Sequence, residues 1–280
     1  MPVNLMKHWE ELCTYAALNC PYEAVLDDDE GVYKISIPSM HLAVVWHPCN
    51  PAYLSGKTGD YFSGLSDKAE GIGIHLVQIW EDQYRAKREI VESRIGSLFG
   101  NSIRVHARKT ATVRIDRVLA DEFLRRNHLL GPCSAARHYG LTLNSELIAV
   151  ASFGNARKIL RGNQYYRSFE LIRFCSKNGY TVVGGLSKLL HQFIADRSPD
   201  DISTYADRDW SDGSAYTKLG FRREGVISAR KFSLATDRWE RTPISVKQSE
   251  PAALNDNQRL IVYNSGSIKF LLDLVHPTAG

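Results

Sequence analysis

Residues 169–193 read FELIRFCSKNGYTVVGGLSKLLHQF, and this stretch decides the expected fold. FELIRFCS has the composition of a strand, and the loop KNGYTVVGG that follows it ends in Gly184 and Gly185. The next residues, LSKLLHQFIAD, place apolar side chains in helical spacing. A strand, a glycine turn and a helix in this order are typical of a mixed α/β domain.

The paired glycines lie where the loop enters the helix. N–H groups at a helix start, with no side chain to obstruct approach, form a cradle for an anion that the helix dipole reinforces. We therefore predict phosphate binding at Gly184, Gly185, Ser187 and Lys188, although the Walker spacing is absent. The alternative interpretation is a tight loop with close packing of the helix on the sheet.

A second motif, DISTYADRDWSDGSAYTKLGF, occupies residues 201–221. Its predicted strand ends in polar residues, and ligands of open α/β sheets bind at the carboxyl ends of strands. We expect the motif to share one crevice with Gly184 and to line a reacting centre with Asp207, Tyr205, Arg208, Ser211 and Tyr216. An ion-paired scaffold is the alternative for Asp207 and Arg208.

The remaining pattern predicts two domains, 1–101 and 102–280. The first has a helix, two strands, a long loop, a third strand and a second helix, at 4–18, 32–37, 41–46, 48–64, 73–80 and 81–100. The second begins with one strand and a helix, 103–115 and 120–128, followed by a hairpin turning at Asn144-Ser145. A short helix, SAYTKLG, and two strands, FRREGV and RLIVYN, complete it around a mobile insertion over 236–257.

Charge is distributed unevenly along the chain. Residues 1–84 contain 4 lysines and arginines against 12 acidic residues, whereas the rest contains 31 against 19. A basic domain favours polyanions, so DNA is the expected macromolecular partner. The predicted phosphate contacts are Arg104, Arg108, Lys109, Arg114, Arg157, Lys158, Arg161, Arg222 and Arg223. Tyr165, Tyr166 and Trp210 are predicted to stack on an extruded base, with partial burial in the core as the alternative.

The order of strands, glycine turn, helix and strand resembles the acetyltransferase superfamily with the acyl-coenzyme A N-acyltransferase (GNAT) fold. In that family the turn binds the cofactor pyrophosphate. The family pattern is a Gln or Arg, two residues, Gly, any residue, then Gly or Ala, whereas Gly184 and Gly185 are adjacent here. The cofactor therefore stays unknown, with a coenzyme A thioester as one candidate.

The motifs at 169–193, 203–221 and 261–272 together resemble the C-terminal domain of a phage homing-endonuclease-like family that begins with a Vsr-like, PD-(D/E)XK-type nuclease domain. The stretch IHLVQIWEDQYRAKREIVESRIGSLFG, followed by VHARK, is similar to the end of that nuclease domain and its junction. The YAD…G..Y..LGF portion also resembles Mom-type DNA modification proteins. The resemblance implies a nuclease fold over 1–101 and a GNAT-like fold over 102–280.

The resemblance also implies acidic metal ligands on the first two strands, where this sequence has Lys34, Ser36 and Val45. Mg²⁺ requires oxygen ligands that lysine and valine do not provide, so we predict no metal and a degenerate nuclease domain. The acidic run Asp27 to Glu30 is an alternative ligand source, but a solvated loop is the expected reading. His47, His75 and Asp60 lack a ligand spacing.

The sequence therefore leads us to expect a phage DNA base-modification transferase that moves a small acyl or amino-acid-derived group from a small-molecule donor onto a base. A homing endonuclease and a non-catalytic DNA-binding protein are the alternatives. No membrane span or export signal is evident, so we expect a cytoplasmic protein. The five cysteines form no C-x-x-C pair, and only Cys133 has a context that suits a reactive thiol. The oligomeric state stays open.

Overall fold

The computed structural model describes residues 7–27, 33–244 and 259–275. These residues form the helices α1 (Lys7–Asn19), α2 (Pro51–Leu54), α3 (Gly59–Gly71), α4 (Glu81–Leu98), α5 (Arg117–Asn127), α6 (Gly185–Arg197) and α7 (Ser214–Thr217). Their strands are β1 (Val25–Asp27), β2 (Tyr33–Ile37), β3 (Leu42–His47), β4 (His75–Trp80), β5 (Ile103–His106), β6 (Ala111–Ile115), β7 (Arg137–Leu143), β8 (Glu146–Phe153), β9 (Arg157–Arg161), β10 (Gln164–Ser176), β11 (Tyr180–Val183), β12 (Asp201–Asp207), β13 (Arg222–Ile227), β14 (Lys231–Ala235), β15 (Glu240–Pro243), β16 (Arg259–Tyr263) and β17 (Ser267–Asp273). Within these described ranges, no helix combines the length and the apolar composition needed to span a bilayer.

The chain forms two compact units, each of which consists of three separate segments of the sequence. Unit 1 comprises Met1–Glu92, Ala206–Gly213 and Val226–Ile268. Unit 2 comprises Ser93–Tyr205, Ser214–Gly225 and Lys269–Gly280. This division differs from the predicted boundary after residue 101, because the first cut falls within α4 and two later segments belong to unit 1.

Unit 1 contains a four-stranded mixed sheet in the order β1-β2-β3-β4. The first three strands pair antiparallel, and β4 runs parallel to β3. Every residue of β3 is buried, as expected for an apolar run that forms an inner strand. Trp9 of α1 packs its ring against the rings of Tyr33 and Trp46, so the first helix covers this sheet.

A second sheet of unit 1 has the order β15-β14-β16. Leu234 and Val262 from this sheet form a buried cluster with Cys49, Phe62 and Trp80. The prediction of a mobile insertion over 236–257 is therefore wrong for β15, which pairs antiparallel with β14. The pairing, rather than a periodic pattern, orders this segment. Residues 245–257 lie outside the described part of the chain.

The predicted long loop over 48–64 is also wrong, because α2 and the start of α3 lie there. The Asn50 side chain accepts a hydrogen bond from the Tyr53 backbone N–H, and Pro51 occupies the first helical turn. Asparagine at the N-cap and proline in the first turn initiate a helix. The proline that indicated a loop in the sequence therefore starts a helix.

Unit 2 is built on an eight-stranded sheet in the order β13-β17-β12-β10-β8-β7-β6, with β9 pairing only the free end of β10. The two helices α5 and α6 cover opposite faces. Ala120 and Phe123 of α5 form a cluster with Val150, whereas the α6 ring of Phe193 stacks on Phe153 at 3.8 Å between centroids. Residues 150 and 153 of β8 point to opposite faces because side chains alternate along a strand.

Several predicted elements of unit 2 are confirmed. The hairpin turns at Asn144 and Ser145, both with positive φ as a two-residue turn of this kind requires. The strand over 201–207 and the short helix after Gly213 are also present. The single strand predicted over 103–115 is wrong. Its two halves, β5 and β6, belong to different sheets and are separated by a turn at Ala107–Lys109.

Candidate active site

The middle of the unit 2 sheet contains an opening. Strand β10 pairs in parallel with β12 from Ser168 to Leu171, opposite Asp201 to Thr204, and this pairing ends there although β10 continues to Ser176. The register of β10 with β8 shifts between Leu171 and Arg173, which leaves Ile172 as an extra residue in a β-bulge. The two parallel strands therefore separate beyond the bulge.

The exposure of the last residues of β10 agrees with an opening in the sheet. β10 is the fourth strand along the seven-strand path of the sheet, a position that is normally covered on both edges. None of its last five residues, Ile172–Ser176, is buried. In the described strands, the register with β12 does not reach this segment, so one edge of its backbone can hydrogen-bond an extended ligand.

The start of α6 explains the two adjacent glycines. Gly184 precedes the helix with φ of +76°, a left-handed conformation that glycine adopts without strain. A Cβ on Gly185 would lie 3.0 Å from Val182 Cγ1 and 3.4 Å from Leu141 Cδ1, so the helix approaches the sheet closely here. The packing interpretation thus applies to Gly185. The helix start is compatible with anion binding, which stays a prediction.

Lys188 has a structural partner in this region. Its Nζ donates hydrogen bonds to the backbone oxygens of Ala107 and Thr110 and so fastens the turn between β5 and β6 to the first turn of α6. Arg108 and Lys109 lie in that turn and are both exposed. The contact brings two predicted phosphate-binding cations into the neighbourhood of the glycine turn. This placement could not be predicted from the sequence, because Ala107 in the turn precedes Lys188 by 81 residues.

The ring of Tyr216 contacts those of Phe221 and Phe270, and its hydroxyl lies beside Thr204. Thr204 is the last β12 residue that pairs with β10, and its Oγ1 donates to the Leu171 backbone oxygen at 3.0 Å. Burial raises the pKa of Tyr216, so its phenol keeps its proton at neutral pH. Tyr205, one residue after Thr204, is 43% exposed. Both tyrosines were predicted from the sequence as site residues, whereas Thr204 was not.

The other predicted reacting residues belong to unit 1. Asp207 accepts a hydrogen bond from the Asp209 backbone N–H, and the Arg208 guanidinium pairs with Asp67 and donates to the Ser265 backbone oxygen. The scaffold interpretation therefore describes Arg208. Arg208 and Ser211 also line a cleft of about 260 Å³ in this unit. Because the crevice expected to join Asp207 to Gly184 would span two units, that convergence stays a prediction.

The predicted DNA contacts fall into two groups. Exposed side chains include those of Arg104, Arg108, Lys109, Lys158 and Tyr165. Other members are already engaged: Arg157 pairs with Glu170 at 3.0 Å, Arg161 pairs with Asp201 at 2.7 Å, Tyr166 is 7% exposed and Trp210 is 4% exposed. The core interpretation therefore describes Tyr166 and Trp210, whose rings would have to leave their packing to stack on a base.

Lys34 and Val45, the positions compared with nuclease ligands, are directly opposite each other on β2 and β3. Within the described ranges, no group of three His, Cys, Asp or Glu side chains is placed to hold a metal ion. Of the acidic run, Asp27 ends β1, and residues 28–30 lie outside the described chain. The Cys133 thiol is half-buried, and burial raises its pKa, which opposes a role as a reactive thiolate.

No protein-family model matches the sequence, and a search of curated proteins gives no significant match. The structure is similar to solved acetyltransferases of the GNAT type. A Bacillus subtilis acetyltransferase in complex with CoA has 14% identity and a TM-score of 0.35 over 59% of this chain and 99% of its own.

Two further structures give similar values. The ribosomal-protein-S18-alanine N-acetyltransferase from Escherichia coli has 14% identity, with a TM-score of 0.35 over 61% of this chain and 96% of its own. A GNAT family acetyltransferase from Elizabethkingia anophelis with acetyl-CoA bound has 13% identity, with a TM-score of 0.34 over 59% of this chain and 99% of its own. At these TM-scores the likeness carries no argument by itself, and it does not bear on the expected nuclease or DNA-modification relationship.

Proposed function

We propose that unit 2 transfers a small acyl or amino-acid-derived group from a phosphate-bearing donor to a base in DNA. The observation that carries this proposal is the opening in the sheet, where β10 leaves β12 at a β-bulge. A gap between two parallel strands accepts a narrow, extended ligand, and the strand edge supplies backbone hydrogen bonds to amide groups along it. A pantetheine-like arm has such amides.

The donor's phosphates would lie at the start of α6. The first N–H groups of a helix have no intrahelical partners and attract anions. Gly184 leaves space there, since a Cβ on it would meet only Ala107 at 3.8 Å. The exposed cations Arg108 and Lys109, held beside this turn through Lys188, supply positive charge that the glycine motif itself lacks. These features fit a coenzyme A thioester, which would bring an activated acyl carbon and a sulfur leaving group.

Tyr216 has the properties of a proton donor in such a transfer. A departing thiolate requires a proton, and the Tyr216 hydroxyl holds one because burial raises its pKa. Thr204, beside that hydroxyl, is the last β12 residue that pairs with β10, which supports a place for the phenol next to the opening. The excess of lysine and arginine after residue 84 and the exposed cations of unit 2 support DNA as the proposed acceptor.

Mass analysis of nucleosides tests the function directly. DNA co-expressed with the intact chain should contain a modified nucleoside, and Tyr216→Phe should reduce its amount by roughly 100-fold, the usual size of a lost proton donor. Tyr61→Phe, on α3 of unit 1, removes a hydroxyl elsewhere and should leave the profile unchanged. Identical nucleosides with the intact chain and with Tyr216→Phe, in hosts with ordinary and with hypermodified DNA, would contradict the proposal.

A further inference from the structure

The β9–β10 hairpin extends beyond the main sheet of unit 2. Arg157 to Arg161 pair with Gln164 to Ser168 through a turn at Gly162, whose φ is +58°. The β10 ladders with β12 and β8 begin only at Ser168 and Leu171. We call residues 157–167 the ribbon, because over this length the described chain has only two paired strands.

The two faces of the ribbon differ in exposure, since the opposite face contains the buried Tyr166 and the half-buried Ile159 and Arg161. Because side chains alternate, Lys158, Leu160, Tyr165 and Arg167 share one face, which we call the free face. All four are exposed, and Leu160 and Tyr165 are 57% and 58% exposed. Large apolar side chains on an exposed strand face are typical of an interaction surface.

The opposite face is already partnered. Arg157 pairs with Glu170 at 3.0 Å and Arg161 pairs with Asp201 at 2.7 Å. Tyr166 is 7% exposed and lies under the Arg161 guanidinium. Arg157 and Gln164 of this face are exposed, but its two cations pair with carboxylates. On the free face, the Arg167 guanidinium donates to the Arg197 backbone oxygen at 2.6 Å, an uncharged acceptor that does not neutralise its charge. The free face therefore presents the positive charge that a partner can neutralise.

The charge of the ribbon selects a polyanion. Residues 155–169, NARKILRGNQYYRSF, contain four cations and no Asp or Glu. Lys158 Nζ lies 4.1 Å from the centroid of the Tyr165 ring, so the ammonium and the aromatic ring form one patch. An acidic partner with apolar groups between its charges complements this arrangement, and a nucleic acid duplex has both.

We propose that the free face of the ribbon binds in the major groove of B-form DNA. The groove is about 12 Å wide and admits a two-stranded ribbon, whose strands lie about 4.8 Å apart. Lys158 and Arg167 would neutralise phosphates, while Tyr165 and Leu160 would contact base edges and thymine methyl groups. The major groove of A-form RNA is too narrow for such a ribbon, which favours DNA.

This inference deepens the proposed function, since DNA is its acceptor, and it assigns Tyr165 to the intact duplex rather than to an extruded base. The sharpest test compares two adjacent residues on opposite faces. Lys158→Ala and Arg157→Ala each remove one positive charge from β9, but only Lys158 lies on the free face. Binding of the full chain to a fluorescent DNA duplex about two helical turns long would be measured over a salt series, without any donor.

Lys158→Ala should weaken duplex binding by roughly eightfold at about 0.1 M salt. It should also make the negative slope of log K against log salt shallower by about 0.9, the value for one phosphate contact. Tyr165→Ala should weaken binding with little change of slope, because its contact is uncharged. Arg157→Ala should change affinity by no more than about twofold. Duplex RNA of the same sequence should compete poorly.

Equal losses for Lys158→Ala and Arg157→Ala would overturn the proposal, since they would show attraction to overall charge. Equal competition by duplex RNA or by single-stranded DNA would also overturn it. Failure of the proposed function looks different: the Lys158→Ala effect would persist while no modified nucleoside forms. Conversely, if Lys158→Ala modified and bound DNA normally, the proposed transfer would stand and only the proposed DNA binding by the ribbon would be overturned.

Discussion

Gly184 and Gly185 are adjacent in sequence but are needed for different reasons. Gly184 has a positive φ, so a side chain there strains the backbone, whereas Gly185 lies close to Val182 and Leu141. The sequence could indicate that this turn needs glycines. It could not separate the two reasons, because φ and the approach of a distant strand are properties of the folded chain.

This distinction predicts how one added methyl group changes the free energy of unfolding. Gly185→Ala should lower the free energy of unfolding by about 1–2 kcal/mol, because its Cβ would crowd Val182 at 3.0 Å in a packed interior. Gly64→Ala, inside α3 with no neighbour within 4 Å of its Cβ, should be neutral or raise stability by up to about 1 kcal/mol. Urea unfolding of both variants measures this. A higher free energy of unfolding for both variants would show that the sheet beside Gly185 adjusts to the added methyl group without strain.

Elements formed by neighbouring residues were predicted best. The Asn144-Ser145 turn and the strand over 201–207 depend on local turn chemistry and composition, and both are present. The break between β5 and β6 was missed because its cause lies in α6, where Lys188 binds the turn. The mid-sheet opening was missed for the same reason, since the end of the β10–β12 ladder depends on strands far apart in sequence.

The turn between β5 and β6 should depend on Lys188. Lys188→Met keeps the length of the side chain but removes the ammonium donor from the Thr110 oxygen and from the Ala107 oxygen, which also accepts from Thr110. This loss should lower the free energy of unfolding by about 1–3 kcal/mol. Amide hydrogen exchange should accelerate around residues 107–110. Lys218→Met, at an exposed lysine of the same unit, is the control and should change neither quantity. Unchanged exchange in Lys188→Met would show that the turn holds without the ammonium.

At the scale of the whole molecule, the charge distribution could be derived from the sequence, whereas the division into two units could not. The charge contrast between residues 1–84 and the rest needs no folding information, and it underlies the expected partner. The division into units could not be predicted, because Ala206–Gly213 and Val226–Ile268 belong to the same unit as the N-terminal residues. Local periodicity cannot report such a return of the chain. The Asp207 to Ser211 motif, interpreted as a reacting centre, consequently includes residues buried within unit 1, such as Arg208 and Asp209.

This burial makes the stability of the folded chain depend on pH. Asp209 is 1% exposed, and burial, followed by the nearby charge of Asp207, raises the pKa of its carboxyl from 3.8 to about 7. The folded state therefore binds a proton more tightly than the unfolded state does. The stabilisation from this proton is complete below the unfolded pKa of 3.8 and is lost as pH rises through about 7.

Asp209→Asn should remove this dependence, because an amide keeps an oxygen that can accept from the Ser265 backbone N–H but does not ionise. Urea unfolding at several pH values between about 4 and 8 should show the intact chain losing stability relative to Asp209→Asn as pH increases. Asp237→Asn, at an exposed position of unit 1, should follow the intact chain throughout. If the difference between the intact chain and Asp209→Asn stayed constant with pH, the carboxyl of Asp209 would be ionised in the fold, and the buried network around Ser265 would have to stabilise its charge.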